Sequence, residues 1–294
     1  MRVVEILRLV LAGLLLVLNV TAHALPLLTL ALLKLIPVTA LRVRVSAWLV
    51  AMGENWIAVN DLLLKYLTRT RVEVEYAGQS LAKRGWYLVI ANHQSWVDIP
   101  ILQQVLLHRI PFLKFFLKQQ LIWVPLLGLV WWAMDFPFMR RYSRAELTRR
   151  PELKGRDLEA TRKACERFRQ IPVSVMNFVE GTRYTAAKHA AGGAALKHLL
   201  PPRAGGVAYV MQAMGDAIDT LVDVTIHYPG GIPTMIDLLA GRVREVRVRV
   251  QSAPIPAELR RGDYENDPDY RARFQTWVNQ LWQAKDTELG GMRE

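Results

Sequence analysis

The chain has 294 residues, of which 52% are apolar and 22% charged, with a formal net charge of +12 and one cysteine. That length suits one large domain or two small ones around a buried core. The charged fraction excludes a many-helix membrane transporter, and the lone Cys165 excludes an internal disulfide framework and a multi-cysteine metal site. The basic surplus points to an anionic partner: nucleic acid, anionic lipid or a phosphorylated substrate.

Residues 9–33, "LVLAGLLLVLNVTAHALPLLTLALL", carry no charge. One straight helix of that length would run about 38 Å, enough for a hydrocarbon core of about 30 Å. Pro26 argues against a straight helix and predicts a break near "AHALP", with His23 in the turn. Basic residues flank both ends, Arg2 and Arg8 before and Lys34, Arg42 and Arg44 after, and favour the cytoplasmic side for each. A helical hairpin dipping into one leaflet satisfies these constraints. A simple spanning anchor and a signal peptide ending at Ala22-His23-Ala24 are competing readings, although the apolar run continues to Ile36, past such a cleavage point. Residues 1–45 are thus expected to form a membrane-embedded segment and residues 46–294 a separate catalytic domain.

Further along, residues 46–68 have helical spacing in Trp48, Met52, Trp56, Val59 and Leu63. "VEVEY" (72–76) alternates like a strand, and "WYLVIAN" (86–92) is a continuous apolar run expected of a strand buried on both faces. A helix follows Asp98, which is placed to cap it, with Pro100 tolerated in its first turn. "LIWVPLLGLVWWAM" (121–134) is too short to span. It reads equally as a buried core helix or as a lipid contact carrying Trp123, Trp131 and Trp132. Residues 139–171 hold eleven Lys/Arg against five Asp/Glu, half of the net charge. Within them "DLEATRKACERFR" (157–169) predicts an amphipathic helix with Leu158, Thr161, Ala164, Cys165 and Phe168 inward. Strands are expected at 173–179, 221–228 and 244–251, and a closing helix at 268–284. Strands alternating with helices make the class α/β.

Three stretches carry chemistry. In "NHQSWVD", after a buried strand and before a helix, Asp98 lies five residues beyond His93 across a tight turn. A carboxylate on one ring nitrogen leaves the other nitrogen of a neutral histidine free to act as a base. In "NFVEGTRYT" (177–185), Gly181 permits a sharp turn beside Glu180, Thr182 and Arg183. An arginine there suits a phosphate, while a surface Glu–Arg pair is the plainer reading. "DFPFMRRYSR" (135–144) places Arg140 and Arg141 after the second apolar stretch, where a phosphate site and a membrane-surface charge cluster explain them equally well. Ser95 lacks a Gly-x-Ser-x-Gly elbow and is not read as a nucleophile. His227 ends a strand near a possible pocket; the remaining histidines read as surface residues with no zinc-like spacing.

Together these boxes resemble the glycerolipid acyltransferase superfamily, which contains the PlsC-like 1-acylglycerol-3-phosphate acyltransferases. "NHQSWVD" matches its Asn-His-x4-Asp box, "FVEGTR" its Glu-Gly-Thr-Arg box and "FMRR" its Phe-x-x-Arg box, in the family's order and spacing. "FFLKQQL" (115–121), "PFMRRYSRA" and "LLPPRAGG" look most like the YihG-type inner-membrane branch. The likeness runs from about residue 40 to 285. It departs at the fourth box, usually a Val/Ile-Pro pair after an apolar strand; here "DVTIHYPGG" carries its proline late, at Pro229.

The resemblance implies a glycerol-3-phosphate acyltransferase-like fold, with a mixed central sheet flanked by helices. It implies transfer of a fatty acyl group from an acyl thioester, acyl-CoA or acyl-carrier protein, to the sn-2 hydroxyl of lysophosphatidate, with another lysophospholipid or an aminolipid as the alternative acceptor. His93 is then the base and Asp98 its orienting carboxylate. Arg141, Arg140, Glu180, Gly181, Thr182 and Arg183 bind the acceptor phosphate, with Glu180 orienting Arg183 and with Asn92 and Ser95 in support. Neither a metal nor a resident cofactor is required. The expected location is the cytoplasmic face of a bacterial inner membrane. A basic membrane or nucleic-acid binder without catalysis is the reading of another class, and the basic residues lack an interleaved aromatic platform for nucleic acid.

Overall fold

The computed structural model describes residues 3–139, 149–150, 159, 162–163, 165–166, 168, 171–192 and 195–293. Apolar residues fill the first helix, α1 (Val3–Ala31), and the helical run Val3–Leu35 is long and apolar enough to cross a membrane, with a mean hydropathy of 2.3. A 3₁₀ turn at Leu32–Leu35 then leads into α2 (Thr39–Thr68). The two helices pack antiparallel. The hairpin expected within residues 9–36 is therefore not formed: α1 runs straight through Pro26, and the turn at 32–38 pairs it instead with α2, whose residues 46–68 were expected in the catalytic domain. Pro26 removes one backbone donor. Ala24 and Leu27 on either side of it are buried with Val45 and Leu49, and this packing carries the helix through. The boundary expected after residue 45 falls inside α2. His23 is likewise not in a turn: Nε2 meets Asn55 Oδ1 at 2.8 Å, one turn from Asn19, whose amide donates to Asn60 Oδ1 at 2.8 Å and to the Trp56 carbonyl at 3.2 Å.

The remaining elements are β1 (Arg71–Gly78), β2 (Trp86–Ala91), α3 (Asp98–Leu106), β3 (Leu113–Phe115), β4 (Leu117–Lys118), α4 (Leu127–Ala133), β5 (Phe138–Met139), β6 (Val173–Phe178), α5 (Ala186–Ala191), α6 (Gly205–Met214), β7 (Thr220–His227), α7 (Met235–Leu239), β8 (Glu245–Pro254), α8 (Ala257–Arg260) and α9 (Pro268–Arg293). Six strands form one sheet in the order β1-β8-β7-β2-β6-β3. All neighbours are parallel except β7 and β8. This is the mixed sheet expected, with helices on both faces. β4 and β5 make a separate parallel pair.

The sequence patterns account for each strand's place. β2 is apolar throughout and lies inside the sheet, buried against α6 and α9 through Leu88 and Ile90 and against α3 through Val89 and Ala91. β8 alternates: Val246, Val248 and Val250 are buried, while Arg247 and Arg249 stand opposite Glu73 and Glu75 of the edge strand β1. α9 is fastened to β7 by Lys285, whose buried ammonium pairs with Asp223 and donates to the Val224 carbonyl and Thr225 Oγ1, each at 2.9 Å. Cys165 and Phe168 are core, as expected; Leu158, Thr161 and Ala164 of the same helical pattern lie outside the described residues.

Val130 and Ala133 of α4 and Met134 just after it pack against the α1–α2 hairpin, while Trp123 and Trp132 are 84% and 60% exposed. The core reading holds for the packed face, and the other face leaves these two indoles uncovered by the described residues. Trp131 lies on the packed side.

Candidate active site

Three adjacent parallel strands, β6, β2 and β7, end at the same edge of the sheet, with Ala91 of β2 level with Phe178 of β6 and Val224 of β7. The loops after them meet there, the location at which open α/β sheets bind ligands. Asn92 extends β2 by one residue with its side chain. Its amide donates to the Ile226 carbonyl and its oxygen accepts the Ile226 N–H, both at 2.9 Å. The chain then turns and enters α3.

His93 Nδ1 lies 2.8 Å from Asp98 Oδ2. An ionised carboxylate only accepts, so Nδ1 carries the proton and Nε2 presents a lone pair. Asp98 is fully buried. It is the first residue of α3 and not its cap: the carboxylate faces back into the turn, where the Gln94 and Ser95 N–H groups donate to Oδ2 at 2.7 and 2.8 Å. Tyr228 donates to Oδ1 at 2.7 Å. The Ser95 hydroxyl donates to the Pro233 carbonyl and accepts from the Val97 N–H, so it braces the turn. On the other side Phe178 stacks on the His93 ring, with centroids 3.8 Å apart and planes 13° from parallel.

The second box is laced to the first. Glu180 is 1% exposed, and its Oε1 accepts the His93 backbone N–H at 3.1 Å. The Tyr184 N–H donates to the His93 carbonyl at 2.7 Å. Gly181 has φ +67°, a value that favours glycine, and its N–H closes the turn on the Phe178 carbonyl. The expected pairing of Glu180 with Arg183 does not occur. Burial pushes the Glu180 carboxyl up to about 8, against the pull of the His93 N–H, and a buried carboxyl that keeps its proton near neutrality is a poor partner for an arginine. Arg183 instead lies over the indole of Trp96, 4.8 Å from the ring centroid. Beside it the Lys188 ammonium donates to Thr182 Oγ1 at 2.7 Å and to the Arg183 carbonyl at 3.0 Å, which places a second cation next to the turn.

His93, Asp98, Asn92, Ser95, Glu180, Gly181, Thr182 and Arg183 are therefore brought together; Arg140 and Arg141 lie outside the described residues. His227 faces the opposite side of the sheet, where burial and then the charges of Arg293 and Arg247 hold its ring below the usual histidine range. Sequence reading missed Tyr228, Trp96, Phe178 and Lys188. Trp96 and Phe178 were visible as box or neighbouring residues, but nothing local marks Tyr228. A polar cleft of about 440 Å³, with Gln79, Lys83 and Arg109 in its lining, lies away from this edge, beside the β1–β2 loop.

The arrangement can take up a proton at Nε2 and hold an anion beside Arg183. The family model described as Acyltransferase matches residues 73–229, just over half of the chain and all of the described site. The 1-acyl-sn-glycerol-3-phosphate acyltransferase delta of Mus musculus is 26% identical over 68% of this chain and 51% of its own length. The probable 1-acyl-sn-glycerol-3-phosphate acyltransferase 5 of Arabidopsis thaliana is 26% identical over 80% of this chain and 60% of its own length. The chain thus spans between half and two thirds of these relatives. The fold is shared with the 1-acyl-sn-glycerophosphate (LPA) acyltransferase PlsC of Thermotoga maritima, at a TM-score of 0.52 and 17% identity, covering 94% of this chain and 95% of that one. The model match over this half of the chain, which holds both boxes, shows that the chain belongs to the acyltransferase family.

Proposed function

We propose that the protein transfers a fatty acyl group from an acyl thioester to the free sn-2 hydroxyl of lysophosphatidate, giving phosphatidate, at the cytoplasmic face of a bacterial inner membrane. The observation that carries this reading is the His93–Asp98 pair, its second ring nitrogen without a hydrogen-bond partner among the described residues, one short turn from the cations Arg183 and Lys188.

His93 Nε2 takes the proton of the acceptor hydroxyl as that oxygen attacks the thioester carbonyl. Asp98 stabilises the imidazolium. Collapse of the tetrahedral intermediate breaks the C–S bond, and His93 returns the proton to the departing thiolate. Ester and free thiol are the products, with no acyl-enzyme. General base catalysis of this kind contributes about 10²–10⁴-fold. Arg183, with Lys188 behind it and Arg140 and Arg141 as further cations, holds the acceptor phosphate through charge-assisted hydrogen bonds. Glu180 serves the site by fixing the His93 backbone. The donor, acyl-CoA or acyl-carrier protein, is an acidic substrate and not a resident cofactor.

The hairpin supplies the membrane link. Leu7, Leu14, Leu18 and Leu25 of α1 are exposed, and so are Trp123 and Trp132 near α4. A lipid-embedded apolar surface bounded by tryptophans keeps a lysolipid's tail in the bilayer while its headgroup reaches the sheet edge.

The test is acyl transfer by the purified protein in detergent. Acyl-CoA and acyl-carrier-protein donors are offered with a panel of lysophospholipids, beside His93→Ala. Product from lysophosphatidate that disappears in the variant is expected. Transfer to a different acceptor alone would overturn the substrate, and no His93-dependent transfer with either donor would overturn the reaction.

A further inference from the structure

We infer that Tyr228 is a third, positioning member of the His93–Asp98 pair, holding the second carboxylate oxygen so that the first stays on the imidazole and shares less of its charge with it. The inference deepens the acyl-transfer reading and rests on it for its catalytic consequence.

Asp98 needs donors on both oxygens because it is buried. Its own turn supplies them to one oxygen only: His93 Nδ1, the Gln94 N–H and the Ser95 N–H all converge on Oδ2. Oδ1 faces away from that turn and is met by the Tyr228 hydroxyl at 2.7 Å. Tyr228 is 3% exposed, and burial, with the charge of Asp98, holds its phenol well above the usual tyrosine range, so it stays a donor. The hydroxyl is aimed by strand register. Asn92, the residue before His93, is locked in both directions to Ile226. Tyr228 follows two residues later on the same side of the chain, and Lys285 fixes the strand from behind at Val224 and Thr225. Tyr228 belongs to "DVTIHYPGG", the stretch that departs from the family's usual fourth box.

Two effects follow. Rotation of the carboxylate, which would exchange Oδ1 for Oδ2 at the imidazole, is blocked. The phenolic hydrogen bond also draws negative charge toward Oδ1, which weakens the attraction of Oδ2 for an imidazolium. The Tyr228 proton itself never leaves. Among the described residues, the other titratable group facing the pair is Glu180 from the β6 loop, with Lys285 of α9 acting on Glu180 from beyond it. Neither is touched by removing one hydroxyl from the residue that follows β7.

Tyr228→Phe keeps the ring and deletes the donor. The decisive readout is the titration of the His93 ring, followed by NMR on histidine-labelled full-length protein in detergent. It is expected to move to higher pH by about half a unit to one unit. The acid limb of the pH–rate profile should move with it, with kcat at neutral pH down about three- to tenfold and both KM values within about twofold. Val224→Ala, a β7 core change away from the site, is expected to lower the melting temperature and leave the His93 titration in place. An unmoved titration in Tyr228→Phe, or an equal shift in Val224→Ala, overturns the inference. A wild-type enzyme without His93-dependent transfer would instead overturn the proposed reaction, while the NMR titration still decides the role of Tyr228.

Discussion

In the α1–α2 hairpin, Asn19, His23, Asn55 and Asn60 turn toward one another and leucines face outward. At the carboxyl edge of β2, β6 and β7, apolar strands form the support and the polar groups of His93, Asp98, Glu180 and Tyr228 are gathered at their ends, each with a partner from another loop. Both regions join polar side chains across separate elements. They differ in what surrounds them: the hairpin offers apolar surface to its outside, as a bilayer requires, whereas the sheet edge offers one ring nitrogen and a few cations. The apolar exterior and the polar site thus lie in different regions, and substitutions in one region should leave the other's task intact.

Asp98→Asn is the largest test of that separation. An amide group placed among four donors cannot satisfy them all, and the imidazolium loses its counter-charge. Transfer is expected to fall about 10³-fold, with vesicle binding unchanged; loss of vesicle binding would break the distinction. Glu180→Gln probes the other buried acid at the sheet edge. Because the folded state holds Glu180 at about 8 against 4.5 for the free group, the folded protein keeps a proton that the unfolded chain releases. The stability contributed is therefore complete below about 4.5 and lost as pH rises toward 8. Denaturant unfolding of the variant should show a flatter decline across that window, and an unchanged slope would show that Glu180 is not the group responsible.

On the hairpin side, replacing Trp123 and Trp132 together by serine should weaken sedimentation with anionic vesicles about 10–100-fold, while activity in detergent is retained. Equal losses in both assays would mean that this surface also shapes the site. The smallest expected effect sharpens the acceptor end. Arg183→Gln should raise KM for lysophosphatidate about tenfold with a lesser change in kcat. A fall in kcat at constant KM would move Arg183 from phosphate binding to the reacting atoms.

Much of this was readable along the chain. Periodicity located β1, β2, β6, β7 and β8, because four or more residues of alternation or continuous burial leave a signal. β3, β4 and β5, of two or three residues each, leave too little pattern, and α6 sits in a stretch without a strong cap. His93 and Asp98 were found because their spacing is local. The role of Glu180 was misread for the opposite reason. Its neighbour in sequence is Arg183, but its partner is a backbone N–H 87 residues away.

The sequence by itself determined the α/β class, the apolar N-terminal segment, the two boxes and the cationic character of the second, since each is a matter of residue type at short spacing. Tertiary structure alone decided that α1 continues through Pro26, that Glu180 serves His93 and not Arg183, and that Tyr228, 130 residues from Asp98, completes its carboxylate. These depend on which strands become neighbours and in what register, and register is set by the summed packing of the whole sheet rather than by any one segment.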